Sequence, residues 1–235
     1  MTAPALTTIG FDADDTLWQN EAYFRLTQDR FTALLADHAA PEHLQARLLE
    51  AERRNIGAYG FGVKGFTLSM IETAIEVTEG RVPASVIQEL LGAGRAMLDH
   101  PVELLPHARD AVVALAQSHR IVLITKGDLL HQERKLAQSG LGDYFHAVEI
   151  VSDKRPDTYA RVFARHGTGA DQAAMVGNSL KSDVIPALDA GAFGIYVPQG
   201  ETWALEAAEE PAGHPRYAQI PDLAGLSALI ARFGG

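Results

Sequence analysis

The chain has 235 residues, with 30 Asp and Glu against 20 Lys and Arg, for a formal net charge of −10. Hydrophobic residues make up 47% and charged residues 21%, a composition that can bury a sizeable core without covalent staples. There is no cysteine, which excludes thiol catalysis, disulfides and Cys-ligated zinc, while the acidic balance argues against a nucleic-acid partner.

The N-terminal stretch MTAPALTTIGFDADD has no basic region and meets acids after few apolar residues, so it does not read as a signal peptide. No run reaches the roughly 18 apolar residues of a membrane span. The expectation is a protein of the cytoplasm. The first strand is expected at about 6–12 (LTTIGFD), short, apolar and β-branched, as a strand buried on both faces requires. From 18 to 103 no strand pattern appears. Helical faces take its place: Leu44 with Leu48, then Phe66, Met70, Ala74 and Val77, then Ile87, Leu91, Gly94 and Leu98. A crossover between parallel strands needs far fewer residues, so 18–103 reads as an inserted helical cap domain, and 1–17 with 104–235 as the core. Trp18 and Phe24 read as packing at the hinge between them.

Within the insertion, GFGVKG (60–65) matches a dinucleotide-binding glycine pattern by letter, but no strand precedes it. It reads as a loop leading into a helix from Phe66. Beyond it, strands are expected at 120–125, 147–151, 173–177 and 193–197. They alternate with helices at 106–117, 128–139, 156–166 and 182–190, where Asp128 and Ser182 read as caps. EEPAGHPRY (209–217) reads as a loop, and 222–233 as a short terminal helix. Alternating strands and helices predict a doubly wound, Rossmann-like α/β sheet.

In such a sheet, ligands bind beyond the carboxyl ends of the strands. The residues there are Asp12 and Asp14, then Thr125 with Lys126 and Gly127, then Lys154, then Asn178, Ser179 and Asp183. Two carboxylates at about 4 Å repel by roughly 4 kcal/mol at an effective dielectric near 20, a cost that a divalent cation relieves. Mg²⁺ takes one or two carboxylates, waters and a phosphate oxygen. A carboxylate can attack phosphorus, a second acid can protonate the leaving oxygen, and a hydroxyl, a lysine and backbone amides can hold the remaining oxygens. The nine histidines show no zinc-helix pair beside an acid.

At these residues the chain resembles the haloacid dehalogenase-like (HAD) hydrolases. FDADDTLW is similar to the family's first motif, ITKG to the second, DKRPDTY to the third and VGNSLKSD to the fourth, in the family's order, with the helical insertion where a type-1 cap belongs. The resemblance implies that Asp12 is the nucleophile and a metal ligand. It makes Asp14 the general acid/base, with its carbonyl on the metal, and Thr16 a support for the loop. Thr125 and Lys154 would bind the phosphoryl group, and Asn178 and Asp183 would be metal ligands. In a type-1 cap a loop such as 57–66 faces the active site, which makes Tyr59, Phe61 and Lys64 candidate substrate contacts, Lys64 able to meet an anionic group. Asn178 stands where the motif often carries Asp, and Asp15 where many relatives have Gly. A halide leaves without a proton, whereas an alkoxide benefits from an acid at Asp14. The expectation is therefore a Mg²⁺-dependent phosphatase acting on a small-molecule phosphate ester through an aspartyl-phosphate on Asp12. The alternatives are a phosphomutase, a 2-haloacid dehalogenase, or a receiver-like phospho-accepting signalling protein. A receiver carries its acceptor Asp on the third strand, and none lies there. Monomer and homodimer are both compatible with the composition.

Overall fold

The computed structural model describes residues 5–200 and 203–233. Among them, β1 (Thr8–Phe11), β2 (Arg120–Lys126), β3 (Ala147–Val151), β4 (Ala173–Gly177), β5 (Phe193–Tyr196) and β6 (Tyr217–Gln219) form one parallel sheet in the order β3-β2-β1-β4-β5-β6. The order reverses between β1 and β4, and an open α/β sheet makes its ligand crevice at that reversal. Phe11, the last residue of β1, pairs with Leu123 on one side and Val176 on the other; β4 runs one residue further and β2 three. The five strands expected from sequence are present. The sixth, β6, begins at Tyr217 in the stretch read as a loop. It is three residues long and pairs with Gly194–Tyr196 of β5, too short to show a pattern of its own.

Contacts divide the chain into two units. One comprises residues Met1–Gln19, Val102–Lys126 and Gln132–Gly235; the other comprises Asn20–Pro101 and Gly127–His131. Residues 127–131, read from sequence as core, group with the second unit. That unit contains α1 (Glu21–Leu34), α2 (Pro41–Tyr59), α3 (Val63–Val77) and α4 (Ala84–Asp99). Its apolar centre is Phe31, Leu35, Leu44, Leu48, Val63, Phe66, Met70, Ala74, Leu90 and Met97, with Phe24 packed on Phe66. The buried stripe of α4 is Leu90, Ala93, Gly94 and Met97. The sequence reading placed it one position later, on Ile87, Leu91, Gly94 and Leu98, yet Leu91 is 42% exposed. Two apolar stripes run side by side on this helix, and periodicity alone does not choose between them. The glycine-rich stretch is also shorter as a loop than expected. α2 continues to Tyr59 and α3 starts at Val63, joined by Gly60, Phe61 and Gly62. Gly60 (φ 75°) and Gly62 (φ 115°) turn the chain where other residues would be strained.

In the first unit the sheet is covered on both faces. Ile9, Phe11, Ile121, Leu123, Ala174 and Val176 pack with α5 (Ala108–Ala116) and with Leu136 of α6 (Leu129–Ser139), and Leu226 and Ile230 close the same cluster. The alternate residues Val122, Ile124, Ala173 and Met175 pack on Tyr159, Val162 and Phe163 of α7 (Pro156–His166) and on Ala187 of α8 (Ile185–Asp189). This alternation explains why the central strands read as unbroken apolar runs. The chain ends in α9 (Leu226–Phe233), the source of Leu226 and Ile230. The helix expected at 182–190 is two elements, a π-turn at Leu180–Val184 and then α8, and its cap is Ser179, whose side chain accepts from the Ser182 amide. Among the described residues no helix is long and apolar enough to cross a membrane.

Candidate active site

Asp12 leaves β1 directly, its amide donating to the Val176 carbonyl at 2.9 Å. The chain then turns tightly. The Leu17 amide reaches the Ala13 carbonyl at 2.8 Å and the Asp15 amide reaches that of Trp18 at 2.7 Å. This turn sends Asp12 and Asp14 to different partners, which eases their repulsion. Asp12 and Asp183 share the Lys154 ammonium, which donates to Asp12 Oδ1 and, at 2.6 Å, to Asp183 Oδ1. All three side chains are buried. Thr16 Oγ1 lies 3.2 Å from Asp12 Oδ2 and 3.3 Å from Asn178 Oδ1, and accepts from the Asn178 amide at 3.1 Å. Thr16 therefore ties the turn after β1 to the turn after β4.

Asp183 depends on the glycine before that turn. A Cβ on Gly177 would fall 2.3 Å from Asp183 Cγ, so only glycine leaves room for this carboxylate. The π-turn then folds Asp183 back, so that its Oδ2 accepts from the Ser179 amide at 2.9 Å, and Tyr159 donates to the Ser182 carbonyl at 2.9 Å.

Asp14 belongs to a second network. It accepts from Lys135 Nζ at 2.8 Å, Trp18 Nε1 at 2.7 Å and Gln132 Nε2 at 3.1 Å. The same Gln132 nitrogen donates to Thr125 Oγ1 at 2.7 Å and to the Lys126 carbonyl at 2.9 Å. Lys126 turns its ammonium to Ser182 Oγ and Glu206 Oε1, each at 2.7 Å. Gly127 (φ 125°) lies in the other unit, as do Tyr59, Phe61 and Lys64. Tyr59 is exposed at the end of α2, and Lys64 pairs with Asp128 at 3.1 Å.

Gln132, Lys135, Ser182 and Glu206 hold these networks together and were not candidates from sequence. Gln132 and Lys135 sit three residues apart on one face of α6, a spacing that makes helical neighbours. Trp18, read as packing, is 1% exposed and does pack in the core, while its indole N–H also serves Asp14. Nothing in the local pattern marks Glu206.

The two networks hold opposite electrostatics. Burial, with the charge of Asp183, pushes the Asp12 carboxyl up to about 7 against the pull of Lys154. Burial would likewise lower the Lys154 ammonium, but Asp12 and Asp183 outweigh it and hold it well above the usual lysine range. Burial would raise Asp14, yet the Lys135 charge and the three donors hold it below the usual carboxylate value. Two buried carboxylates thus share one ammonium, and Asp12 ionises reluctantly: the cluster is short of positive charge. Among the described residues no cage of three or more His, Cys, Asp or Glu side chains exists, but a hard cation such as Mg²⁺ needs only one or two carboxylates, with carbonyls and water completing its shell. Asp12, Asp183, the Asp14 carbonyl and Asn178 fit that chemistry.

The sequence profile of the haloacid dehalogenase-like hydrolases matches residues 6–191, while no curated protein matches the chain. The fold is similar to that of a crystal structure from Xanthomonas campestris described as a haloacid dehalogenase-like family hydrolase. That protein shares 46% identity over 98% of this chain and 94% of its own, with a TM-score of 0.86. The HAD-hydrolase YfnB from Bacillus subtilis, bound to magnesium, aligns at 17% identity over 96% of this chain and 99% of its own, with a TM-score of 0.66. L-2-haloacid dehalogenase from Xanthobacter autotrophicus aligns at 19% identity over 96% and 98%, with a TM-score of 0.67. The last two share the fold alone. With its profile match spanning all four motifs and the doubly wound sheet that presents them, the chain belongs to the haloacid dehalogenase-like hydrolases.

Proposed function

We propose that this hydrolase is a Mg²⁺-dependent phosphatase acting on a small phosphate ester. The observation that carries the reading is Asp14. A second carboxylate stands beside the nucleophile, joined to Thr125 through Gln132, and hydrolysis of an ester needs such a group while displacement of a halide does not. An Asp12 oxygen attacks phosphorus, the bond from phosphorus to the leaving oxygen breaks, and Asp14 gives that oxygen a proton. Water then attacks phosphorus, its proton passes to Asp14, and the bond to Asp12 breaks to free inorganic phosphate. Lys135 keeps Asp14 ionised in the arrangement seen, the state from which the second step starts; for the first step the carboxyl takes up a proton from solvent as the Lys135 contact opens. The Thr125 hydroxyl and Lys154 ammonium would hold the non-transferring oxygens, where electrostatic stabilisation dominates phosphoryl transfer. Mg²⁺, when bound by Asp12, Asp183, the Asp14 carbonyl and Asn178, supplies the positive charge that Lys154 alone does not. Tyr59, Phe61 and Lys64 of the helical cap are the proposed substrate contacts, and cytoplasmic residence belongs to the same proposal.

Two observations favour a 2-haloacid dehalogenase instead. Lys154 already bridges both carboxylates, and Asn178 removes a charge from the metal-binding motif. A single assay separates the readings: phosphate release from a panel of sugar phosphates, nucleotides, phosphoglycolate and flavin mononucleotide, with and without EDTA, alongside chloride release from 2-chloropropionate. The expected result is EDTA-sensitive phosphate release that falls at least about 10³-fold in Asp12→Asn, as loss of a nucleophile demands. Halide release that ignores EDTA would replace the phosphatase reading with the dehalogenase one.

A further inference from the structure

The family profile ends at residue 191, yet one carboxylate beyond it reaches both halves of the site. Glu206 closes a short turn, Ala204–Glu206, in the segment between β5 and β6. Its Oε1 accepts from Lys126 Nζ at 2.7 Å; its Oε2 accepts from Ser179 Oγ at 2.6 Å and from Ser182 Oγ. Lys126 Nζ donates to Ser182 Oγ as well, at 2.7 Å. A second tie joins the same segments, from Lys181 Nζ to the Leu205 carbonyl at 2.6 Å. The side chains of Lys126 and Glu206 are 13% and 16% exposed, so this is a largely desolvated knot in which charge-assisted bonds are strong and geometrically exacting.

The knot has a specific address. Lys126 is the residue after Thr125, the proposed phosphoryl ligand. Ser179 caps the π-turn that carries Asp183, and Ser182 lies within it. From Glu206 a continuous path of hydrogen bonds runs through Ser179 to Asp183, then through Lys154 to Asp12. Without the carboxylate, Ser179 and Ser182 lose their common acceptor and the Lys126 ammonium its counter-charge, next to the residues whose spacing matters most. The geometry points to Glu206 as a positioning residue that fixes the Asp183 turn against the Thr125 end of β2 and thereby sets the metal-binding geometry. The inference rests on the Mg²⁺-binding part of the proposed function.

The test compares Glu206→Ala, Glu206→Gln and the charge-neutral double variant Lys126→Met/Glu206→Gln. Each is assayed at a temperature where circular dichroism shows it fully folded. Calorimetric titration with MgCl₂ reads the metal site directly, and p-nitrophenyl phosphate kinetics separate kcat from KM. Glu206→Ala is expected to bind Mg²⁺ about tenfold more weakly and to lose about tenfold in kcat, with KM within twofold. Glu206→Gln should fall between it and the parent. The double variant should stay impaired, because its serines still lack the carboxylate. Parental Mg²⁺ binding in Glu206→Ala would overturn the inference. So would full recovery in the double variant, which would reduce Glu206 to a counter-ion for Lys126, or a parent protein that binds no Mg²⁺. If the variants bind Mg²⁺ as expected while the parent hydrolyses no ester, the phosphatase reading fails and the positioning role stands.

Discussion

Asp15 holds a left-handed backbone, φ 58°, in the tight turn that separates the side chains of Asp12 and Asp14. An L-residue with a Cβ pays about 1–2 kcal/mol for that conformation, although Asp tolerates it better than most. Glycine pays nothing there but loses more entropy on folding. Asp15→Gly is therefore expected to leave kcat within twofold and to gain up to about 1 kcal/mol, roughly 2–4 °C in Tm for a chain of this size. A fall in Tm would show that the contacts of the Asp15 side chain outweigh its backbone strain. The turn thus imposes a left-handed backbone on this position, which Asp15 meets at some cost.

At the scale of elements, α4 and α6 show what a linear pattern can and cannot disclose. Leu90 is fully buried and its neighbour Leu91 is 42% exposed. Leu90→Ala should cost about 2–5 kcal/mol, as a cavity in a packed core does, and Leu91→Ala less than about 0.5 kcal/mol, read from urea midpoints. The reverse ranking would restore the stripe expected from sequence. The strands β1, β2, β4 and β5 were legible because burial on both faces leaves short apolar runs bounded by turns, and the half-buried edge strand β3 was legible from its β-branched residues. The groups now seen at their ends, Asp12, Thr125, Lys154 and Asp183, were legible because chemistry restricts the residue types that can stand there. Gln132 and Lys135 were not. Their role lies in reaching Asp14 and Thr125 across the sheet end, and helical spacing alone makes them ordinary polar residues on α6. Glu206 was less legible still, since a 3-residue turn carries no periodicity and its partners lie 24 to 80 residues earlier in the chain. The π-turn before α8 reads as helix because its side-chain spacing is nearly helical.

For the molecule as a whole, the same carboxylate links the last third of the chain to acid stability. Burial would raise the Glu206 carboxyl, but the charge and hydrogen bond of Lys126, with Ser179 and Ser182, outweigh it and hold it below its ordinary 4.5. A group depressed in the folded state binds fewer protons there than in the unfolded chain, so its stabilisation is complete above 4.5 and is lost as pH falls through the folded value. Glu206→Gln should cost about 2 kcal/mol at pH 7, between the worth of an exposed and a buried pair. The gap in Tm between the parent and this variant should narrow steadily below pH 4.5. A gap that holds constant down to pH 3 would mean that the knot owes its strength to shape and not to charge.

The chain has two tryptophans, and both touch this machinery. The Trp18 indole N–H donates to Asp14 Oδ1 at 2.7 Å, and the Trp203 carbonyl accepts the Glu206 amide at 2.8 Å. An indole bonded to a carboxylate changes its emission when that carboxylate moves or gains a proton. The protein therefore carries a built-in optical reporter at Asp14, while Trp203 meets Glu206 through the backbone. Replacing Trp203 with phenylalanine isolates the signal of Trp18, so events at Asp14 can be followed in real time without a label.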